Sequence, residues 1–260
     1  MKRYALKVGE HYAIKTSSIE RDSDGFFILM GGEPRPNDAV GSAARVYVRG
    51  ALSQFDGEGG DSYEAIGARV EAAAATKPSC VVLDIHSPGG AVAGLYELVL
   101  RLQRLRTACG IPFVAQINEL AASAAFGIAC ACDRRFAPPS GIAGSIGTIS
   151  TMVSMARRDE REGIDVVLIT SGARKADGNP HQPLVEAAVR AERARNGQLA
   201  EQFYSIAAKA LRVSPRRIES LEGGIGIGPT ALKMGLINAI RGIDATLAAV
   251  GGTVAVAQPA

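Results

Sequence analysis

An α/β fold with a largely parallel sheet is what this sequence predicts, and three observations carry that reading. Short apolar runs rich in β-branched residues alternate with segments of helical periodicity. The run at 79–85 (Ser-Cys-Val-Val-Leu-Asp-Ile) is continuous rather than alternating, as suits a strand buried on both faces of its sheet, and 165–170 repeats the signal. The composition, 47% hydrophobic with only 5% aromatics and abundant Ala and Gly, favours close helix–sheet packing through small side chains.

The elements follow in order. Residues 1–43 read as an N-terminal extension with a hairpin around 26–30 and a loop at 33–38. The main domain, 44–250, opens on a strand at 44–50. A helix at 62–76 carries Ile66, Val70 and Ala73 at helical spacing. The 79–85 strand ends at Pro88-Gly89-Gly90, read as a strand-to-helix turn. The helix at 91–108 aligns Val92, Leu95, Val99, Leu102 and Leu105 on one stripe. A strand at 112–118, a helix entered near Ser123, strand-like segments at 142–150 and 165–170, a long helix at 184–211 and shorter helices near 215–221 and 228–238 complete the domain. Residues 251–260 form a C-terminal tail.

Charge and cysteine usage narrow the function. A formal charge of +3, scattered along 260 residues, excludes a nucleic-acid partner as the main reading. Arg157-Arg158 and Arg216-Arg217 read as solvated helix faces. Cys80, Cys109, Cys130 and Cys132 match no metal-ligand spacing, and their apolar surroundings read as buried free thiols in a reducing compartment. The start of the chain has no apolar core of a signal peptide, and no window approaches the roughly 20 apolar residues that span a bilayer. A cytoplasmic chain without membrane insertion is expected. The stretch 223–228 (Gly-Gly-Ile-Gly-Ile-Gly) lacks the Lys-Ser/Thr of a phosphate loop.

The residues that carry chemistry are a serine among alanines, Ser123, and a lone lysine, Lys175, in a turn-rich segment. A serine at a strand-to-helix junction can hold its hydroxyl free while backbone N–H groups point the same way. A desolvated, neutral lysine can take its proton. Gly89 and Gly90, with the N–H of Ala124, are the candidate oxyanion donors. Of His11, His86 and His181, only His86 lies where an α/β site forms, and it is the competing base. Asp84 reads as a brace for the glycine loop.

Several segments then fall together in one order: 46–52 (Val-Tyr-Val-Arg-Gly-Ala-Leu), 83–90 (Leu-Asp-Ile-His-Ser-Pro-Gly-Gly), 121–125 (Ala-Ala-Ser-Ala-Ala), 144–147 (Gly-Ser-Ile-Gly), 171–175 (Ser-Gly-Ala-Arg-Lys) with 177–180 (Asp-Gly-Asn-Pro), and 235–238 (Gly-Leu-Ile-Asn). In these the chain resembles the signal peptide peptidase A / protease IV family of serine peptidases, within the Clp-protease/crotonase superfamily. It is most similar to the phage or prophage branch that contains capsid-assembly (prohead) proteases. The resemblance implies a Clp-protease/crotonase-like fold, Ser123 as nucleophile, Lys175 as general base, and Gly89 and Gly90 on the oxyanion side. It implies a peptide substrate, a homo-oligomeric ring whose active sites are in some members built between protomers, and capsid or scaffold proteins as partners, within a phage prohead. No metal or organic cofactor is needed. Ala124-Ala125 stands where many members have Gly-Gly, and Asn238 where Asp is common. A host signal-peptide-peptidase-like protease, an acyl-CoA enzyme of the crotonase type and an inactive ring-forming assembly protein are the rival readings.

Overall fold

The computed structural model describes residues 43–55 and 60–250, with the backbone of residues 3–5, 11–14, 19–21, 27–30 and 38–40 and of Gly251. The 33–37 part of the expected loop and residues 252–260 of the tail lie outside the described residues. The N-terminal strands are β1 (Arg3–Ala5), β2 (His11–Ile14), β3 (Ile19–Arg21), β4 (Phe27–Met30) and β5 (Asp38–Val40). β4 pairs antiparallel with both β1 and β3, so in place of a hairpin centred on 26–30 the described residues 27–30 are the central strand of a three-stranded sheet.

The main sheet is built on β6 (Ala43–Ser53), β8 (Cys80–Ala91) and β9 (Phe113–Ala122), which run parallel, with β8 between the other two. Alternation along these strands explains how both faces are used. Val46 and Val48, Val81, Leu83 and Ile85, and Phe113, Ala115 and Ile117 all belong to the large core that the helices cover. Each such large side chain taken fully out of water contributes about 1.5–3 kcal/mol. The intervening residues Ala43, Cys80, Val82 and Val114 meet Phe136 and Leu247 in a smaller cluster on the opposite face. Burial of both faces is what the continuous apolar run at 79–85 predicts.

Short β7 (Asp61–Ser62) leads into α1 (Tyr63–Ala75). The hydroxyl of Ser62 caps α1 by accepting from the Ala65 N–H at 3.0 Å, while Ile66, Val70 and Ala73 face the core. α2 (Leu95–Cys109) buries Leu95, Leu98, Val99 and Leu102 and stops at Gly110, whose φ of 67° is the usual left-handed ending. After β9 come α3 (Ala124–Ala129), β10 (Arg134–Ala137), β11 (Ile142–Gly144), β12 (Ile149–Ser150) and α4 (Ala156–Glu162). The chain finishes with α5 (Glu186–Leu211), α6 (Pro215–Glu219), β13 (Ile225–Ile227), α7 (Pro229–Lys233), β14 (Ala239–Ile240) and α8 (Ile243–Gly251). β10 extends the sheet beside β9 and β14 lies outside it, both parallel. The fold is thus mixed α/β with a mostly parallel sheet between helical layers, as expected for the Clp-protease/crotonase type.

Three expectations need correction. Residues 165–170 form no strand: the segment is open to solvent, with Val167 81% and Ile169 94% exposed. Its apolar pattern therefore reports a surface, not a buried strand. Residues 87–90 are not a turn either, because β8 runs on through Pro88, Gly89 and Gly90 to Ala91. Backbone pairing on both sides holds Gly89 and Gly90 in the sheet, with Ala51 and Leu52 of β6 on one edge and residues 13 and 14 of β2 on the other. Finally, Cys109 is exposed, whereas Cys80, Cys130 and Cys132 are buried free thiols as expected.

Candidate active site

Ser123 sits where β9 ends and α3 begins. It is 1% exposed, and its backbone has φ 54° and ψ −123°, a conformation that costs a non-glycine residue of order 1–3 kcal/mol. The surroundings impose it. The Ser123 N–H donates to the Gly144 carbonyl at 2.7 Å, and its own carbonyl accepts the first helical bond from the Gly127 N–H at 3.0 Å. With both backbone groups committed, the side chain projects from a sharp strand-to-helix turn, the geometry of a nucleophile elbow. The hydroxyl makes one long contact, 3.5 Å to the Gly147 carbonyl. The N–H of Ala124, in the first turn of α3, has no intrahelical acceptor and points toward the same end.

The glycines lie at that end too. Ala121 pairs with Ser87 in the β8–β9 register, so Ser123 and Gly89 each stand two residues further along. Gly90 must be glycine: a Cβ there would lie 1.8 Å from the Leu52 carbonyl oxygen of β6. Gly89 has φ 102°, and its N–H donates to the buried Ser87 hydroxyl at 3.1 Å. Ser87 thus enters the site through its hydroxyl, whereas the sequence marked it only as part of the Ser87-Pro88-Gly89-Gly90 segment. Its hydroxyl holds the Gly89 N–H, the group expected on the oxyanion side.

Just before this point the two strands slip out of step. Ile85 pairs with Ile117 but His86 pairs with Leu120, leaving Asn118 and Glu119 in a bulge, with Glu119 at φ 75°. The exposed His86 donates from Nδ1 to the Asn118 carbonyl at 2.6 Å, and among the described residues no hydrogen bond ties it to Ser123. As base it has no geometric support. Asp84, expected to brace the glycine loop, instead braces β6. Register places it opposite Tyr47, with Arg45 and Arg49 on either side and the same face. Arg45 Nε donates to Oδ2 at 2.9 Å, and an Arg49 nitrogen lies 2.9 Å from Oδ1. Both guanidinium groups stand over the Tyr47 ring, 4.7 and 4.8 Å from its centroid.

Lys175 lies in a turn after the open 165–170 segment, and its side chain is exposed. Its N–H donates to the Gly172 carbonyl at 3.0 Å, and among the described residues no hydrogen bond joins its amine to Ser123. The end of this loop is anchored to α4. The Pro180 carbonyl accepts the Met155 N–H at 2.6 Å, and the Gln182 carbonyl accepts the Ser154 hydroxyl at 2.8 Å. His181 Nδ1 meets the buried Asp159 carboxylate at 2.8 Å. Neither Asp159 nor His181 stood out in the sequence, because their partnership spans a loop that only folding closes. The structure thus brings Ser123, Ala124, Gly89 and Gly90 to one end of the sheet and leaves Lys175 in solvent within the single chain. Among the described residues no cluster of metal-ligating side chains occurs.

The comparisons with known proteins bear on this geometry. The family model for peptidase family S49 matches residues 106–256, more than half of the chain, including Ser123 and Lys175. The head-tail preconnector protein GP5 of Enterobacteria phage P21 is 39% identical over 140 residues, which cover 54% of this chain and 27% of that protein. The capsid assembly protease C of Escherichia phage lambda is 28% identical over 187 residues, 72% of this chain and 42% of that protein. The "Probable protease SohB" of Buchnera aphidicola subsp. Schizaphis graminum is 34% identical over 126 residues, 46% of this chain and 36% of its own length. The chain spans less than half the length of each of these relatives. A serine held at a strained strand-to-helix turn beside a glycine strand, inside a family match over more than half the sequence, leads to one conclusion: this chain belongs to peptidase family S49, a family of serine peptidases.

Proposed function

We propose that the chain is a serine endopeptidase in which Ser123 is the nucleophile and Lys175 the general base, acting on extended segments of capsid or scaffold proteins during phage or prophage capsid assembly. The observation that carries the reading is the buried Ser123 at positive φ, level with Gly89 at the end of β8. The printed names of the phage P21 and phage lambda relatives favour capsid assembly over signal-peptide removal.

An extended substrate adds alongside the glycine end of β8. Neutral Lys175 takes the Ser123 proton as the hydroxyl oxygen attacks the scissile carbonyl carbon. The N–H groups of Gly89, released from the Ser87 hydroxyl, and of Ala124 hold the oxyanion. The C–N bond breaks as protonated Lys175 gives its proton to the leaving amine, and water then hydrolyses the acyl-enzyme.

An amine works as base near neutrality only when desolvated, and Lys175 is exposed in the single chain. A second copy therefore covers the loop. The segment that leads to it carries the exposed apolar residues Ile164, Val166, Val167 and Ile169, a surface suited to burial against another protomer of a homo-oligomeric ring. The central test is hydrolysis of an unfolded protein or scaffold substrate by the wild type, Ser123→Ala and Lys175→Ala. Each variant is expected to lose at least about a thousandfold in kcat. Retained hydrolysis in either ends the dyad assignment.

A further inference from the structure

The edge of β8 that faces Ser123 is already taken. A strand has two edges, and β6 holds one edge of β8 as far as Gly90. β9 holds the other only as far as Ser87, because its chain turns away at Ser123. On the edge so vacated lies β2, antiparallel, with Tyr12 opposite Ala91, Ala13 opposite Gly90 and Ile14 opposite Gly89. The far side of β2 is closed by β12, also antiparallel, which pairs Ile149 with Tyr12 and Ser150 with His11. The end of β11 and its connection to β12 supply the two carbonyls that hold Ser123, those of Gly144 and Gly147. Residues 11–14 thus fill a slot one strand wide, between the glycine end of β8 and β12, and run toward Ser123 from Ala91 to Gly89.

We infer that this N-terminal segment is an internal occupant of the substrate groove, an autoinhibitory strand that competes with substrates supplied by other chains. The inference rests on the peptidase reading above, which places the substrate strand alongside Gly89 and Gly90. β2 satisfies the backbone groups that an incoming peptide would use, on both sides, so a substrate in trans enters only where β2 has left. Its direction brings the Ile14 end to Ser123, so the peptide bond between Ile14 and Lys15 is the one offered for cutting.

The test uses the full chain with proline in β2. Successive N–H groups of a strand point to opposite edges, so Tyr12→Pro and Ala13→Pro each remove a bond to one of the two neighbours. Both are compared with the wild type and Ser123→Ala for hydrolysis of a fluorogenic peptide and for labelling of Ser123 by a fluorophosphonate probe. Thermal unfolding is recorded alongside to verify that the main domain is intact. Losing one such bond should raise kcat/KM in the proline variants about fivefold, through a lower KM, and speed labelling to match. A synthetic peptide spanning residues 9–17 should inhibit the proline variants competitively. In the wild type, a product beginning at Lys15, absent from Ser123→Ala, supports the same placement. Active wild type with unchanged KM and labelling in both intact proline variants overturns the inference and leaves the peptidase reading standing. Inertness of all chains, the proline variants included, removes the peptidase reading and the inference with it.

Discussion

At Ser123 the cost of an unusual backbone and the burial of a hydroxyl coincide, and both are supported by carbonyls at the end of β11 and just after it. The same closeness governs Gly90. Gly90→Ala would drive a methyl group into the Leu52 carbonyl, so we expect a loss of about 1–3 kcal/mol in urea unfolding, with peptidase activity falling further than stability. Burial pushes the thiols of Cys80 and Cys130 up to about 11, and that of Cys132 further in the same direction. At pH 8 these three stay protonated and shielded, so a disulfide reagent should modify Cys109 fast and the other three only on unfolding. The sign of the linked stability follows. Above the ordinary thiol value near 9 the unfolded chain releases protons that the folded chain keeps, so stability falls as pH rises from about 9 to 11. Urea midpoints at pH 8 and pH 10 test this, and Cys130→Ala should flatten the difference.

Among the elements, β6 and β8 show how a strand can carry an apolar face and a charged one. Val46 and Val48 enter the core, while Arg45, Tyr47 and Arg49 close over the buried Asp84. Asp84→Ala would leave two guanidinium groups around a vacated anion site, and we expect a destabilisation of about 3–5 kcal/mol by chemical denaturation. Asp84→Asn should cost less, since the amide oxygen still accepts. The loop bearing Lys175 depends on a second such pairing. The carboxylate of Asp159 lies in α4 and His181 in the loop, so their contact ties the two together. The 165–170 segment is a different kind of element, apolar and unpaired with any strand among the described residues.

For the whole molecule, an exposed base and a buried nucleophile mean that one chain is not the working unit in the proposed mechanism. If the dyad forms between copies, mixing inactive Ser123→Ala with inactive Lys175→Ala should restore measurable hydrolysis, because some contacts then join an intact serine to an intact lysine. A dyad within one chain leaves the mixture inactive. Val167→Asp with Ile169→Asp should weaken self-association in sedimentation and lower the rate per chain at a fixed concentration.

The sequence by itself determined the α/β class, the order of the main strands and helices and the position of Ser123 at a strand-to-helix junction. These depend on local periodicity and on residue types whose preferences act over a few neighbours. Only the tertiary structure decided that Pro88-Gly89-Gly90 continues a strand, that Asp84 serves two arginines and that residues 11–14 pair between the glycine end of β8 and β12. Each of those rests on pairing between segments distant along the chain, and no local preference encodes such a partner. The apolar run at 165–170 shows the same limit from the other side: its pattern predicts a buried strand, yet the fold leaves the segment exposed, because burial depends on which distant segments come to cover it.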